Sequence, residues 1–467
     1  MTPDPILRSF EALTARDPLA ILVASPERHA TLADLDALAR AAGSVLRGLP
    51  LPQGAIVGLA AANGPGFLAS LLALRRAGCA TLLLDAQAPE SESLRIVTAL
   101  GAAGLFRCRA GWPRGPEAWE LTATAAPEPL STETAVVKLT SGSTGAPRGI
   151  ATPAEALIAD DAALASTMGL RDDDRLLATI PMSHSYGLSS LVMPALMRGT
   201  LLIVPEEGQL FDPLSAAART GATVFPTVPA VLDALLRLAE PPPWPESVRL
   251  VLTAGAPLSP VTATRFRESF GLPVHVFYGA SECGGICYDR EGTAGERGTV
   301  GTPVDGVRIV LEPEGEAGKL VVHSAAVAAG YIPKGDDRLG GGRFVAGDLA
   351  AWKDGELVLR GRVDDLVNIK GKKVNPREVE SVVAQLPGVR EVAVLGVPLA
   401  DRSGEFLRAV VACPPGGLAA ADVVAWCRTR LAPHKVPRSV VLVPELPRTS
   451  RGKLDRAQLV AIAGAEA

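Results

Sequence analysis

Residues 140–149, TSGSTGAPRG, alternate hydroxyls and glycines without one large apolar side chain, and a fixed cation stands near the end of the run. That composition suits phosphate. Glycines such as Gly142 and Gly145 allow positive φ angles, which let backbone N–H groups converge on an anion. Thr140, Ser141, Ser143 and Thr144 add hydroxyl donors, and Arg148 adds permanent charge. Taken alone, such a run also fits a plain surface loop. Its flanks favour a ligand: residues 135–139, AVVKL, read as a short buried strand and residues 152–167 as a helix, a strand–loop–helix order used by nucleotide sites. Neither GxxxxGK[ST] nor a GxGxxG after a strand occurs, so the loop is not of the Walker or dinucleotide type.

Three further groups could complete a reaction centre. Residues 277–285, FYGASECGG, follow an apolar strand, where α/β sheets present ligands at strand C-terminal ends. Tyr278 can stack on a flat base, Ser281 can donate to phosphate and Glu282 can hold Mg²⁺ through oxygen; a tyrosine at a strand end equally fits a core. Asp348, in VAGDLA just before a hairpin strand, can accept two hydroxyls with no donor of its own to compete, and Arg362 in GRVDD offers a fork of donors. Their alternatives are a turn former and a solvated charge. In residues 447–456, PRTSRGKLDR, Lys453 sits in a run suited to a mobile, exposed segment.

These strings, in this order, resemble one family: the adenylate-forming (AMP-binding) acyl and aryl ligases, whose phosphate loop reads TSGSTGxPKG. This chain has Arg148 for the usual lysine and, in the family's YGxTE motif, Ser281 for threonine. The resemblance implies that Asp348 accepts both ribose hydroxyls with Arg362 nearby, and that Asp364, the Asp of GRxD, is the hinge of a rotating C-terminal domain. It makes Gly371 in IKGKKV part of a passage for a pantetheine arm, although the lysines there equally fit a solvated loop. Lys453 becomes the adenylation lysine, in a reaction where a carboxylate attacks the α-phosphate of ATP and pyrophosphate leaves. Residues 181–188, PMSHSYGL, resemble the acid-pocket segment with His184 as its histidine. Gly279 joins that pocket, and residues 253–257, TAGAP, bring Gly255 to the adenine. No acid occurs between Arg175 and Glu206, so an α-amino acid would lack a charge partner there, which argues for an uncharged tail. The implied activity is ATP- and Mg²⁺-dependent activation of a fatty or aryl acid as acyl-AMP and its transfer to coenzyme A. Transfer to a carrier protein's phosphopantetheine uses the same thiol arm, and a non-catalytic nucleotide-binding relative is the reading that Arg148 motivates.

The elements that must position these residues follow from periodicity. Apolar strands at residues 21–24, 56–60 and 81–84 alternate with helical patterns at 66–77 and 90–100, and Thr31 with Asp34 opens another helix. Such alternation predicts a parallel sheet covered on both faces. A second series runs through strands at 175–180, 200–204, 222–225, 248–253 and 274–277. Residues 102–132 read as loop. Texture then changes to glycine-rich turns, with a hairpin around Asp354-Gly355, and from residue 364 to an α+β pattern. The expected fold class is α/β: a large N-terminal domain of two α/β subdomains plus a β-rich subdomain, residues 1–363, and a small mobile α+β C-terminal domain, residues 364–467. Forty-six basic against fifty acidic side chains leave a net charge near −4, so no bulk field argues for nucleic acid or an anionic membrane. Six scattered cysteines without CxxC pairs point to reduced thiols and a cytoplasmic location, and no apolar run is long enough to span a bilayer.

Overall fold

Short leucine- and β-branched runs separated by helical segments give a strand and helix alternation from Leu32 to Cys108. The helix Leu32–Leu46 shows how locally this is decided. Thr31 accepts from the Asp34 N–H while the Asp34 carboxylate takes the Thr31 N–H, a complete capping box, and Leu32, Leu35, Ala39, Ala42 and Leu46 form its buried stripe. The computed structural model describes residues 4–49, 51–124, 133–141, 147–205, 212–238, 240–313, 317–362, 367–369, 372–398, 405–448 and 454–464.

The chain divides into two units: Met1–Ile309 with Val321–Val345 and Gly355–Leu357, and Val310–Leu320 with Ala346–Asp354 and Val358–Ala467. Two sheets build the first. One runs Thr302–Pro303, Gly284–Tyr288, Val274–Ala280, Leu250–Thr253, Val224–Thr227, Arg175–Leu177, Leu201–Ile203, Ile21–Ala24, His29–Thr31. The strands from Val274–Ala280 to Ile21–Ala24 are all parallel, and the strands outside them are antiparallel. The other runs Gly330–Ile332, Pro147–Pro153, Thr134–Ser141, Ala80–Leu84, Ile56–Ala61, Gly104–Cys108, Trp119–Ala123. Its centre is parallel and both margins are antiparallel. The expected parallel core is therefore present, within mixed sheets. Leu59, Phe67, Leu68 and Leu72 are among the fully buried side chains of the core that the second sheet shares with its helices.

Three expectations need correction. The phosphate loop does not lead from strand to helix. It joins two antiparallel strands, Thr134–Ser141 and Pro147–Pro153, in register with Leu139 opposite Gly149 and Thr140 opposite Arg148, and the helix Ala154–Met168 begins only after the second. The helix read over residues 152–167 is present as Ala154–Met168; what the reading lacked is the strand before it, which Pro147 at its start and the β-branched Ile150 and Thr152 favour. The supposed loop after residue 102 contains a strand pair, Gly104–Cys108 and Trp119–Ala123, pinned where Trp119 Nε1 donates to Ser70 Oγ at 2.8 Å. Asp348 lies within the strand Arg343–Lys353, not before it. The hairpin that follows is as expected, with Asp354 at φ 52° and Gly355 at φ 82° in the left-handed conformations its tight turn requires.

The second unit contains a three-stranded sheet, Glu391–Pro398 antiparallel to Glu405–Ala412, which is parallel to Ser439–Val443. Helices Pro376–Val383, Ala420–Arg428 and Arg456–Gly464 accompany it, and Val379, Val383, Val411, Val423 and Cys427 form its core. That is the expected α+β pattern. Among the described residues no helix is long and apolar enough to cross a membrane.

Candidate active site

The C-terminal end of the strand Val274–Ala280 is where the first unit gathers its chemistry. The chain turns there through Ser281, Glu282 and Cys283 into the antiparallel strand Gly284–Tyr288. Gly284 permits the turn in two ways: its φ is 67°, and a Cβ on it would lie 2.2 Å from Asp160 Oδ1. Gly279 approaches the same backbone, since a Cβ there would stand 2.6 Å from the Gly284 carbonyl oxygen.

A buried ion network underlies this turn. Lys138, 3% exposed on the strand that leads to the phosphate loop, donates from Nζ to the Ser281 carbonyl at 3.2 Å. Asp160, on the helix Ala154–Met168, accepts from the Gly285 N–H at 2.9 Å and from Ser189 Oγ at 2.6 Å. Burial lowers the Lys138 pKa and raises that of Asp160, while the opposite charge of each partner resists both shifts. Burial, with Glu282 and Asp160 beside it, also raises the Cys283 thiol well above its ordinary value, so Cys283 is no thiolate nucleophile.

Glu282 faces the sheet edge. Tyr331 Oη donates to Glu282 Oε1 at 3.0 Å, and Arg148 stacks its guanidinium 4.1 Å from the centre of the same ring. Arg148 Nη2 also donates to Asp336 Oδ2 at 3.0 Å. Arg338 and Arg148 together hold the Asp336 carboxyl far below the usual carboxylate range. The loop cation is thus seated at the site, clamped between an aromatic face and a carboxylate that a lysine could not engage in the same way. Glu282 retains Oε2 for a hard cation. Among the described residues no three His, Cys, Asp or Glu side chains converge as a closed metal cage, and Mg²⁺ held by one carboxylate and nucleotide phosphate oxygens needs none.

Residues 181–188, expected to line the acid pocket, meet this turn directly. Ser185 Oγ donates to Ser281 Oγ at 2.7 Å. Asn63 fixes the segment across the two sheets: its amide nitrogen donates to the Ala178 and Ile180 carbonyls at 3.0 and 2.9 Å, and its oxygen accepts from Met182 N–H at 2.8 Å. His184 begins the short helical turn Ser185–Gly187, its N–H bonded to the Pro181 carbonyl at 3.0 Å, and is half-buried. Tyr186 behind it is buried, donates to the Leu252 carbonyl at 3.3 Å and packs on Phe277 with ring centres 5.7 Å apart. Tyr278 is half-buried opposite Cys287, and Gly255, at φ 84°, has nothing within 4 Å of where a Cβ would stand. Thr140 is half-buried opposite Arg148.

Ser281, Glu282, Arg148, Thr140, His184, Gly279, Tyr278 and Gly255 therefore all belong to the first unit. Asp348, half-buried, and the strand-ending Arg362 belong to the second, with the Arg362 side chain outside the described set. Gly142, Ser143, Thr144, Gly145, Asp364, Gly371 and Lys453 lie outside the described residues, as does the Ser141 side chain. Sequence reading missed Lys138, Asp160, Asp161, Asn63 and Tyr331. The available signal was a charge inside an apolar period: Lys138 within AVVKLT and Asp160-Asp161 within the helix AEALIADDAALASTM.

A two-sheet α/β unit with a phosphate-loop hairpin and an acid-bearing strand-end turn, joined in one chain to a small α+β unit, defines a class of nucleotide-dependent ligase. The chain belongs to the AMP-binding enzyme family: that family's profile matches residues 10–332, and the AMP-binding enzyme C-terminal domain matches residues 378–453. It is 29% identical to the long-chain-fatty-acid–CoA ligase FadD13 of Mycobacterium tuberculosis, over 92% of each chain. Identity to a feruloyl-CoA synthase of Amycolatopsis sp is 31%, over 91% of this chain and 92% of that one. The ATP-bound crystal structure of MatB from Rhodopseudomonas palustris superposes with a TM-score of 0.82 at 26% identity, over 98% of both chains.

Proposed function

We propose that the protein is an AMP-forming acid–thiol ligase that activates a fatty or aryl carboxylic acid with ATP and passes the acyl group to coenzyme A. A carboxylate oxygen of the acid attacks the α-phosphorus, the bond to the β-bridging oxygen breaks and pyrophosphate leaves. The thiol sulfur then attacks the acyl carbon, the thiol proton is lost and AMP departs. The observation that carries this reading is the 2.7 Å hydrogen bond from Ser185 to Ser281, which seats the acid-pocket segment against the turn bearing Glu282. In-line attack requires the carboxylate and the α-phosphate to be neighbours.

In this reading the phosphate loop, Thr140 to Thr144 with Gly145 and Arg148, holds the departing phosphates. Ser281 contacts the phosphate under attack, and Glu282 holds Mg²⁺, which when bound neutralises phosphate charge. Tyr278 and Gly255 receive the base, Asp348 and Arg362 the ribose, and His184 and Gly279 flank the acid. Lys453 delivers a mobile positive charge on a domain of residues 364–467 that turns about Asp364 relative to residues 1–363, and Gly371 lines the thiol's approach. Six buried thiols, none joined to another, suit a reducing cytoplasm.

Pyrophosphate exchange across a panel of fatty and aryl acids tests the first half-reaction, and mass spectrometry of products with coenzyme A or a carrier protein tests the second. ATP binding without exchange on any acid overturns the ligase reading. Lys453→Ala is expected to slow adenylate formation by about 10²- to 10³-fold, the usual effect of removing one preorganised charge, while a supplied acyl adenylate still reacts with the thiol. Equal loss of both steps overturns its assignment to adenylation alone.

A further inference from the structure

One segment, residues 328–338, ties together the two charged parts of the phosphate site. The Ala328 N–H donates to the Glu282 carbonyl at 2.8 Å, and the Ala329 N–H donates to the Ala151 carbonyl at 2.9 Å. The strand Gly330–Ile332 then runs antiparallel to Pro147–Pro153, with Tyr331 opposite Ile150 and Ile332 opposite Gly149. The turn that bears Glu282 and the hairpin strand that bears Arg148 are therefore both fastened, through their backbones, to this third piece of chain.

Their side chains meet on the same segment, at Tyr331. This residue is 8% exposed. Its Oη donates to Glu282 Oε1 at 3.0 Å, while its ring face lies 4.1 Å from the Arg148 guanidinium carbon. The two contacts use different parts of one rigid side chain: the phenol is a donor at the ring edge, and the face is the negative part of the ring quadrupole. The bond to Oε1 restrains the last torsion of Glu282, which is otherwise broad, and so sets where Oε2 points. Asp336, five residues on, takes Arg148 Nη2 at 3.0 Å and is itself braced by Arg338 Nη2 at 2.7 Å.

We infer that Tyr331 is a positioning residue of the phosphate site with two separable tasks: its hydroxyl aims the Glu282 carboxylate for the metal that accompanies ATP, and its ring seats Arg148 for the phosphates. This deepens the ligase reading above and rests on its assignment of Glu282 and Arg148 to the nucleotide. Tyr331 acts through those two residues and touches neither metal nor nucleotide itself. Partners that hydrogen-bond a metal's carboxylate ligand are typically worth ten- to a hundredfold in metal affinity, whereas a single cation–π contact is worth less. The two tasks therefore differ in the ligand they affect and in size. A core tyrosine whose hydroxyl is merely satisfied would affect stability alone.

The test reads binding, with no acid present. Mn²⁺ stands in for Mg²⁺ and is titrated into the complex of the full chain with ATP by electron paramagnetic resonance; ATP affinity without metal is measured by calorimetry in EDTA. Tyr331→Phe keeps the ring and its volume, so it is expected to weaken Mn²⁺ binding about tenfold and to leave metal-free ATP affinity within about twofold of the wild type. Tyr331→Met fills the space without an aromatic face, and should weaken Mn²⁺ binding as much and metal-free ATP affinity by about fivefold as well. In a Glu282→Ala background, Tyr331→Phe should change Mn²⁺ binding by less than about twofold, because no carboxylate remains to be aimed. Unchanged Mn²⁺ binding in Tyr331→Phe, or an equal loss of metal-free ATP affinity in that variant, overturns the assignment. Because Tyr331→Phe alters one exposed-edge hydroxyl and no packing volume, it decides the matter even where Tyr331→Met lowers the melting temperature. The expected binding pattern together with pyrophosphate exchange on no acid upholds Tyr331 and overturns only the ligase reading; a wild type that binds no ATP overturns both.

Discussion

Arg148 and Lys138 bracket the phosphate loop, and their surroundings give opposite lessons about cations. Arg148 departs from the family's lysine, but its neighbours have the shape of an arginine site: a ring face at 4.1 Å and a carboxylate at 3.0 Å, engaged together by a planar fork. Arg148→Lys is therefore expected to weaken ATP use by about tenfold, the equivalent of one charge-assisted hydrogen bond, and not to improve it. Pyrophosphate exchange at varied ATP measures this, and a faster lysine variant refutes the clamp. Lys138 is instead a compact charge sealed in the core, tied to the Ser281 carbonyl and to the field of Asp160. Removing it alone, as Lys138→Met, leaves Asp160 buried with its two hydrogen bonds but without its counter-charge, and should cost about 3 kcal/mol in urea unfolding. Lys138→Met combined with Asp160→Asn should recover more than about 1 kcal/mol of that sum. Strict additivity of the two substitutions would mean that the charges are not coupled.

At the scale of elements, the turn from Val274–Ala280 into Gly284–Tyr288 joins Asp160, Lys138 and the acid-pocket segment, and Gly284 is its tightest point. Gly284→Ala combines a left-handed residue with displacement of Asp160, so a loss of about 3 kcal/mol is expected, with exchange activity falling alongside. A melting temperature within about 1 °C of wild type would show that the turn relaxes freely and that Asp160 does not brace it. Much of this architecture was legible in the sequence because its signals are local. The capping box at Thr31 and Asp34, the Asp354-Gly355 hairpin and the helical stripe of Pro376–Val383 each depend on a few adjacent residues. What was not legible depends on distant partners. The second strand of the phosphate-loop hairpin is held on its other edge by Gly330–Ile332, some 180 residues away in sequence. The strand Gly104–Cys108 was hidden among prolines and glycines, and is recruited by the strand Ile56–Ala61 beside it. The same holds for the site: Ser281, Glu282 and His184 advertise themselves through motif spelling, whereas Asp160 and Asp161 gain meaning only from what faces their helix.

Across the whole molecule, two sets of carboxylates pull stability in opposite directions with pH. Asp336 is held low by Arg338 and Arg148. Burial alone would raise Asp174, but hydrogen bonds from Arg249, Thr223 and the Arg171 N–H keep it low. Groups of this kind favour the folded state above about pH 4, near the ordinary value for an aspartate, and that contribution is lost as the pH falls through their depressed values. Asp161 does the reverse. Burial raises it to about 6, against the attraction of Arg198 and with the neighbouring Asp160 adding repulsion. The folded protein therefore takes up a proton there at a pH where the unfolded chain does not, and this contribution to stability grows as the pH falls from 7 toward 4 and is lost as the pH rises through 6. Asp161→Asn removes the titration while keeping the size of the side chain. In urea unfolding from pH 7 to pH 4, the difference in stability between wild type and variant should therefore shift in favour of the wild type by up to about 3 kcal/mol, most of it between pH 6 and 4. Below pH 4 both proteins should lose stability in parallel, through Asp336 and Asp174. A difference that stays constant from pH 7 to 4 would mean that Asp161 remains charged throughout, held by Arg198 despite its burial.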